Sequence, residues 1–111
     1  MIGSCIKPSE TRLHSDFLQI TDAVKEVTGV DRNQMRSKSP KGKYVMARHI
    51  AIYYFYHEGH GVGWTGIMFR RDHTLVSYAH NKIEDLKHID REVADLTRRV
   101  EEKLPRLIKH Q

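Results

Sequence analysis

A run of fifteen residues, positions 43–57, constrains this chain more than any other feature. It holds Tyr44, Val45, Met46, Ala47, Ile50, Ala51, Ile52, Tyr53, Tyr54 and Phe55, and so is apolar on most sides. A run of this length is too long for one strand, and a helix that is apolar all round has to be buried. We therefore read a helix at the centre of a bundle, although β-branched and aromatic residues also favour strand. The longest unbroken apolar stretch, residues 50–56, falls far short of a bilayer span.

The rest of the chain supplies helices to surround that one. A length of 111 residues gives room for one domain. Residues 1–14 carry Pro8 and few apolar groups, and are expected to form a flexible N-terminal segment, with the domain spanning 15–111. Phe17, Ile20, Val24 and Val27 recur at three- and four-residue steps, and Gly29 supplies a stop. A short helical turn is expected over 31–36 and a loop over 37–42, where Pro40 lacks a backbone donor and Gly42 breaks the pattern. Residues 58–63 hold three glycines and read as a turn, followed by a short helix over 63–69 and a tight turn at Arg70-Arg71. Asp72 can cap a helix whose inward face is Val76, Ala79, Ile83 and Leu86. Asp90 can cap a last helix carrying Val93, Leu96, Val100 and Leu104, which Pro105 ends or kinks. The expected fold is all-α, a bundle of five to seven helices without a sheet, with Ile50, Tyr53, Phe69, Val76, Ala79 and Ile83 in its core.

The net charge is +5, and its placement says more than its size. Arg36, Lys38, Lys41, Lys43 and Arg48 lie between Met35 and His49 with no acidic residue among them. Two short helices joined by a tight turn, the second opening with polar residues, describe a helix-turn-helix. At the mouth of the second helix Arg71 can meet phosphate or guanine, and Asp72 can accept from a cytosine amino group. His73 can donate or accept, and the Thr74 methyl can touch a thymine methyl. Arg70 adds a further cation beside them. If about six of the seven cations Arg36, Lys38, Lys41, Lys43, Arg48, Arg70 and Arg71 engage phosphates, log K should fall against log[salt] with a slope of roughly −5.

From about Ile20 to Leu86 or beyond, the chain resembles the C-terminal DNA-binding domain of the bacterial replication initiator DnaA. Gly29-Val30 through Met35-Arg36-Ser37-Lys38-Ser39 is similar to that family's short helix and the start of its basic loop. Ala47-Arg48-His49-Ile50-Ala51-Ile52-Tyr53 resembles its A-R-Q-V-A-M-Y helix, and Gly66-Ile67-Met68-Phe69 its G-x-x-F segment. Arg71-Asp72-His73-Thr74-Leu75-Val76, followed by Ala79, Lys82 and Ile83, resembles its R-D-H-T-T-V signature. The resemblance implies binding of double-stranded DNA by residues 36–38, Lys41, Lys43, Arg48, His49 and the run 70–75, in replication initiation or transcription control. There are departures. Pro40 stands where the family has an arginine that enters the minor groove, His49 where it has glutamine, and Leu75 where it has a second threonine. The turn before Arg71 lacks paired glycines, and the stretch between Glu58 and Gly66 is about two residues shorter. The docking mode is expected to carry over more fully than the box sequence.

Other chemistries are poorly served. No G-x-x-x-x-G-K-[ST] motif is present, and no ATPase activity is expected. His57 and His60 lie three apart beside two glycines, unlike the histidines four apart of H-E-x-x-H, and His73 joins them only loosely, so no metal or other cofactor is expected. The single cysteine, Cys5, has no obvious base, and no carboxylate cluster suits a nuclease, so an enzyme is not expected. With no signal peptide visible, a cytoplasmic protein is expected, nucleoid-associated if the host is bacterial, with no membrane partner. The competing reading is a protein-interaction module that regulates or competes with a replication initiator, with weak or non-specific DNA binding.

Overall fold

The computed structural model describes residues 8–104. Six α-helices follow one another: α1 (Pro8–Thr28), α2 (Arg32–Arg36), α3 (Gly42–Phe55), α4 (Gly61–Phe69), α5 (His73–Ile89) and α6 (Arg91–Lys103). A π-helical turn, Tyr56–His60, joins α3 to α4. The described residues hold no strand, and no helix among them is long and apolar enough to cross a membrane.

All but the last two residues of the fifteen-residue run form the central helix, and Tyr56 and His57 lie on the π-helical turn. From Ala47 to Phe55 every residue of α3 is buried, because α1, α2, α4 and α5 pack around it. Its two buried tyrosines reach partners at the edge of the core. The Tyr53 hydroxyl donates to Glu84 Oε1 of α5 at 2.7 Å, and the Tyr54 hydroxyl to Glu101 Oε2 of α6 at 2.5 Å. Burial, reinforced by those carboxylates, raises both phenol pKa values above the usual range. Each tyrosine thus contributes a large buried ring and a polar tie to a neighbouring helix. The six residues expected in the core are all fully buried.

Boundaries shift in two places. The first helix opens at Pro8, seven residues before the periodic pattern begins at Ser15, so the N-terminal segment expected over 1–14 carries helix at residues 8–14. Proline is well suited to a first helical turn, and Leu13, one turn before Phe17, is already buried in the core. The glycine turn is tighter than expected. Gly59 takes φ 91°, a conformation that residues with a side chain rarely adopt, and the chain turns there into α4, which starts at Gly61 rather than Gly63. Cys5 and Pro105 lie outside the described residues.

Candidate nucleic-acid interface

Helices α4 and α5 are joined by three residues: the C-cap Arg70, then Arg71, then the N-cap Asp72. Arg70 ends α4 in the left-handed conformation, at φ 57°, and is the only described residue other than glycine with positive φ. The Arg71 N–H then donates back to the Gly66 carbonyl at 2.8 Å. A Cβ on Gly66 would lie 2.6 Å from the Arg71 carbonyl oxygen, so the turn packs against a position that only glycine fits. Asp72 caps α5: its carboxylate accepts from the Thr74 N–H at 2.8 Å. That hydrogen bond, joined by one from the Thr74 hydroxyl, holds the exposed carboxyl below its ordinary pKa and keeps it ionised. His73 and Thr74 stand exposed at the mouth of the helix, and Leu75 is half-buried behind them.

The basic loop, residues 37–41, is laid beside that mouth by arginines underneath it. Arg48 of α3 is only 5% exposed. Its guanidinium donates to the carbonyls of Met35 (2.6 Å), Ser37 (2.8 Å) and Ser39 (3.3 Å). Arg71 reaches over from the helix-turn-helix and donates to the carbonyls of Arg36 (3.2 Å), Arg70 (3.0 Å) and Ser37. Arg36 donates to the Met68 carbonyl at 2.8 Å and lies over the Phe17 ring. Burial lowers the pKa of all three guanidinium groups, for Arg36 with help from Arg70 and Arg32, and for Arg48 with help from Arg71. The planar fork of five N–H donors is what lets one side chain gather several carbonyls. Ser37 turns its hydroxyl to the Gln34 carbonyl at 2.8 Å, and Ser39 receives the Lys41 N–H at 3.3 Å.

The structure divides the expected site residues between the inside and the outside of this arrangement. Arg48, expected on phosphate, is turned inward as the anchor of the loop. His49, expected at the interface, is 6% exposed and packs edge-on against Tyr78. Burial, and then the charges of Lys82, Arg48 and Arg71, lower its pKa to about 4, so it is neutral near pH 7. Arg36 and Arg71 are half-buried, and Ser37 gives its carbonyl and hydroxyl to the same bracing. Lys38, Lys41, Lys43 and Arg70 are exposed, as are Asp72, His73 and Thr74. The ammonium of Lys43 leans toward Gly29, past the C-terminal end of α1.

The topology, the glycine under the turn and the capped second helix make α4 and α5 a helix-turn-helix. The model of the bacterial DnaA protein helix-turn-helix matches residues 18–83, more than half of the chain. This chain belongs to that family. No curated protein matches it. The matched segment takes in α2 to α4, most of α1 and α5, and the basic loop between α2 and α3. The paired glycines that the DnaA resemblance lacked before Arg71 are replaced by Arg70, which carries the left-handed turn itself.

Sequence reasoning missed the inward role of the arginines. Arg48 sits between Ala47 and Ile50 in a buried run, and that setting was the available signal. It also missed a polar cluster at the start of α4. There His60 Nε2 lies 2.8 Å from Asp16, whose carboxylate is buried and meets Arg12 at 3.4 Å.

Proposed function

We propose that this DnaA-family chain binds double-stranded DNA, with the mouth of α5 in the major groove and the loop at residues 37–41 against the adjoining backbone. The observation that carries the reading is the fixed pairing of an exposed polar helix mouth with a basic loop, tied together by Arg71. Phosphate contacts fall to Lys38, Lys41, Lys43 and Arg70, with Arg36, Arg48 and Arg71 shaping the surface. The positive end of the α5 dipole adds to the attraction for phosphate. His73 and Thr74 face the bases, and Asp72 divides its carboxylate between capping and any cytosine contact. Binding is sequence-specific and serves replication or transcription control in the cytoplasm, without ATP hydrolysis by these residues.

The test is Thr74→Ala. Thr74 is small and uncharged, so its loss leaves long-range attraction intact. Affinity for the preferred duplex should fall by about 1–3 kcal/mol, the usual scale of one base contact, and affinity for random duplex by much less. Electrophoretic or fluorescence titration at one salt concentration, beside a melting curve, reads both. An unchanged ratio with normal folding would remove Thr74 from the reading surface.

A second reading, contact with a replication initiator or other regulatory protein, is favoured by the outer face of α4. Trp64 and Ile67, one turn apart, are 51% and 64% exposed. On that reading binding to a protein partner persists at salt concentrations that abolish binding to duplex.

A further inference from the structure

The histidines that the sequence placed together are not the ones the fold brings together. His60 faces Asp16 and His73 lies beside Asp72. His57, on the π turn, instead meets His80 and Glu84, which are four residues apart on one face of α5. His57 Nε2 and His80 Nε2 lie 3.3 Å apart, and His57 Nε2 is 3.9 Å from Glu84 Oε1. One ligand atom from each of the three residues falls within 4.8 Å of the others. A tetrahedral metal with bonds of about 2.0–2.1 Å separates its ligand atoms by about 3.3–3.4 Å. The two imidazoles already have that separation, and the carboxylate, within 4.8 Å of both, has to close toward them.

We propose that His57, His80 and Glu84 form a binding site for a divalent transition metal of the zinc type, with a fourth position open to solvent. The surrounding groups orient the ligands as outer partners of metal sites do. Asn81 Oδ1 lies 3.3 Å from His80 Nδ1. With Asn81 presenting its amide oxygen, the tautomer protonated at Nδ1 is the one that leaves an Nε2 lone pair toward His57 for a metal. The Tyr53 hydroxyl donates to Glu84 Oε1, while Lys87 and His88 flank Oε2 at 3.9 and 3.5 Å. The carboxylate therefore presents Oε1 on the side of the His57 imidazole. Two imidazoles and one carboxylate suit zinc, cobalt and nickel, and oxygen-loving magnesium or calcium poorly. A metal here would clamp α5 to the turn that follows α3, two turns along from the helix mouth, and so stiffen the seat of that helix.

The full chain, without DNA, is titrated with cobalt(II), followed by visible absorption, and then with zinc(II). The expected result is one equivalent bound with the intense absorption of a four-coordinate ion, displaced by zinc, and a melting temperature that rises with metal excess. His57→Gln and His80→Gln should each weaken cobalt affinity at least about tenfold. His14→Gln, on the exposed face of α1, should leave it unchanged. His57 is exposed, so its variant keeps the fold, and far-ultraviolet circular dichroism verifies this. No binding, an octahedral spectrum only, or binding that survives both substitutions would overturn the proposal. Because no DNA is present, none of these results depends on the interface reading.

Discussion

The two ends of the contact between α3 and α5 treat charge in opposite ways. Near the mouth of α5, Arg36, Arg48 and Arg71 donate to backbone carbonyls, and the cations above them, Lys38, Lys41 and Arg70, stand in solvent. Farther along the helix, Tyr53, His57, His80, Glu84, Lys87 and His88 meet one another. The difference separates donors that hold the fold from donors available to an outside partner. Net charge alone could not make that distinction, since an inward arginine and an outward lysine count equally.

The largest expected effect tests the inward set. Arg48→Ala leaves the carbonyls of Met35, Ser37 and Ser39 without their donor and should cost about 2–4 kcal/mol of stability by chemical denaturation. Arg48→Lys should recover little, because one ammonium cannot replace the planar fork. Lys41→Ala should leave stability within about 0.5 kcal/mol of the parent, weaken all duplexes alike and reduce the salt slope by about one unit. Equal effects from Arg48→Ala and Lys41→Ala on stability would erase the distinction.

The next effect comes from pH, through a histidine beneath the positive end. His49 has a folded pKa of about 4 against an ordinary 6.5. The unfolded chain therefore binds the proton more readily, and the stability this group contributes is fully present above about pH 6.5 and lost as pH falls through about 4. Between pH 7 and 5.5 the loss should be about 1 kcal/mol. His49→Gln should flatten that part of the profile. His57, lowered chiefly by burial and next by His80, leaves a residual slope of the same sign. A profile unaffected by His49→Gln would mean that the ring is not held neutral among those cations.

The smallest effect has opposite signs in two assays. Arg70 holds a left-handed turn at a cost of about 1 kcal/mol or more for a residue with a side chain. Arg70→Gly should raise stability by up to about 1 kcal/mol while weakening DNA binding by the loss of one outward cation. If both quantities fell, Arg70 would belong with the inward arginines.

Much of the fold could be read from patterns that repeat. The buried helix α3, the caps at Asp72 and Asp90 and the inward face of α5 at Val76, Ala79 and Ile83 follow from apolar patterning and hydrogen-bonding chemistry. The start of α1 at Pro8 was hidden, because Leu13 is the only strongly apolar residue between Pro8 and Ser15. At the site, the order of residues pointed to a helix mouth at residues 72–74 and a loop over 37–42; in the structure residues 72–74 cap and open α5, and residues 37–41 join α2 to α3. What sequence could not supply was direction. Arg48 and Lys41 both read as cations near a loop, and only packing shows one beneath it and the other outside. His80 and Glu84 are four apart in the sequence, but their meeting with His57, on the π turn, comes from the packing of α5 beside that turn.

The salt dependence of binding tests the central claim most directly. Phosphate contacts limited to Lys38, Lys41, Lys43 and Arg70 give a slope of log K against log[salt] of about −3 to −4 on duplex DNA. That is shallower than the roughly −5 expected when about six of the seven cations engage. A slope in the shallower range, with Lys41→Ala reducing it by about one unit, is the expected result. A slope of about −5 or steeper would place the inward arginines on phosphate, and a slope near zero would remove DNA from the account altogether.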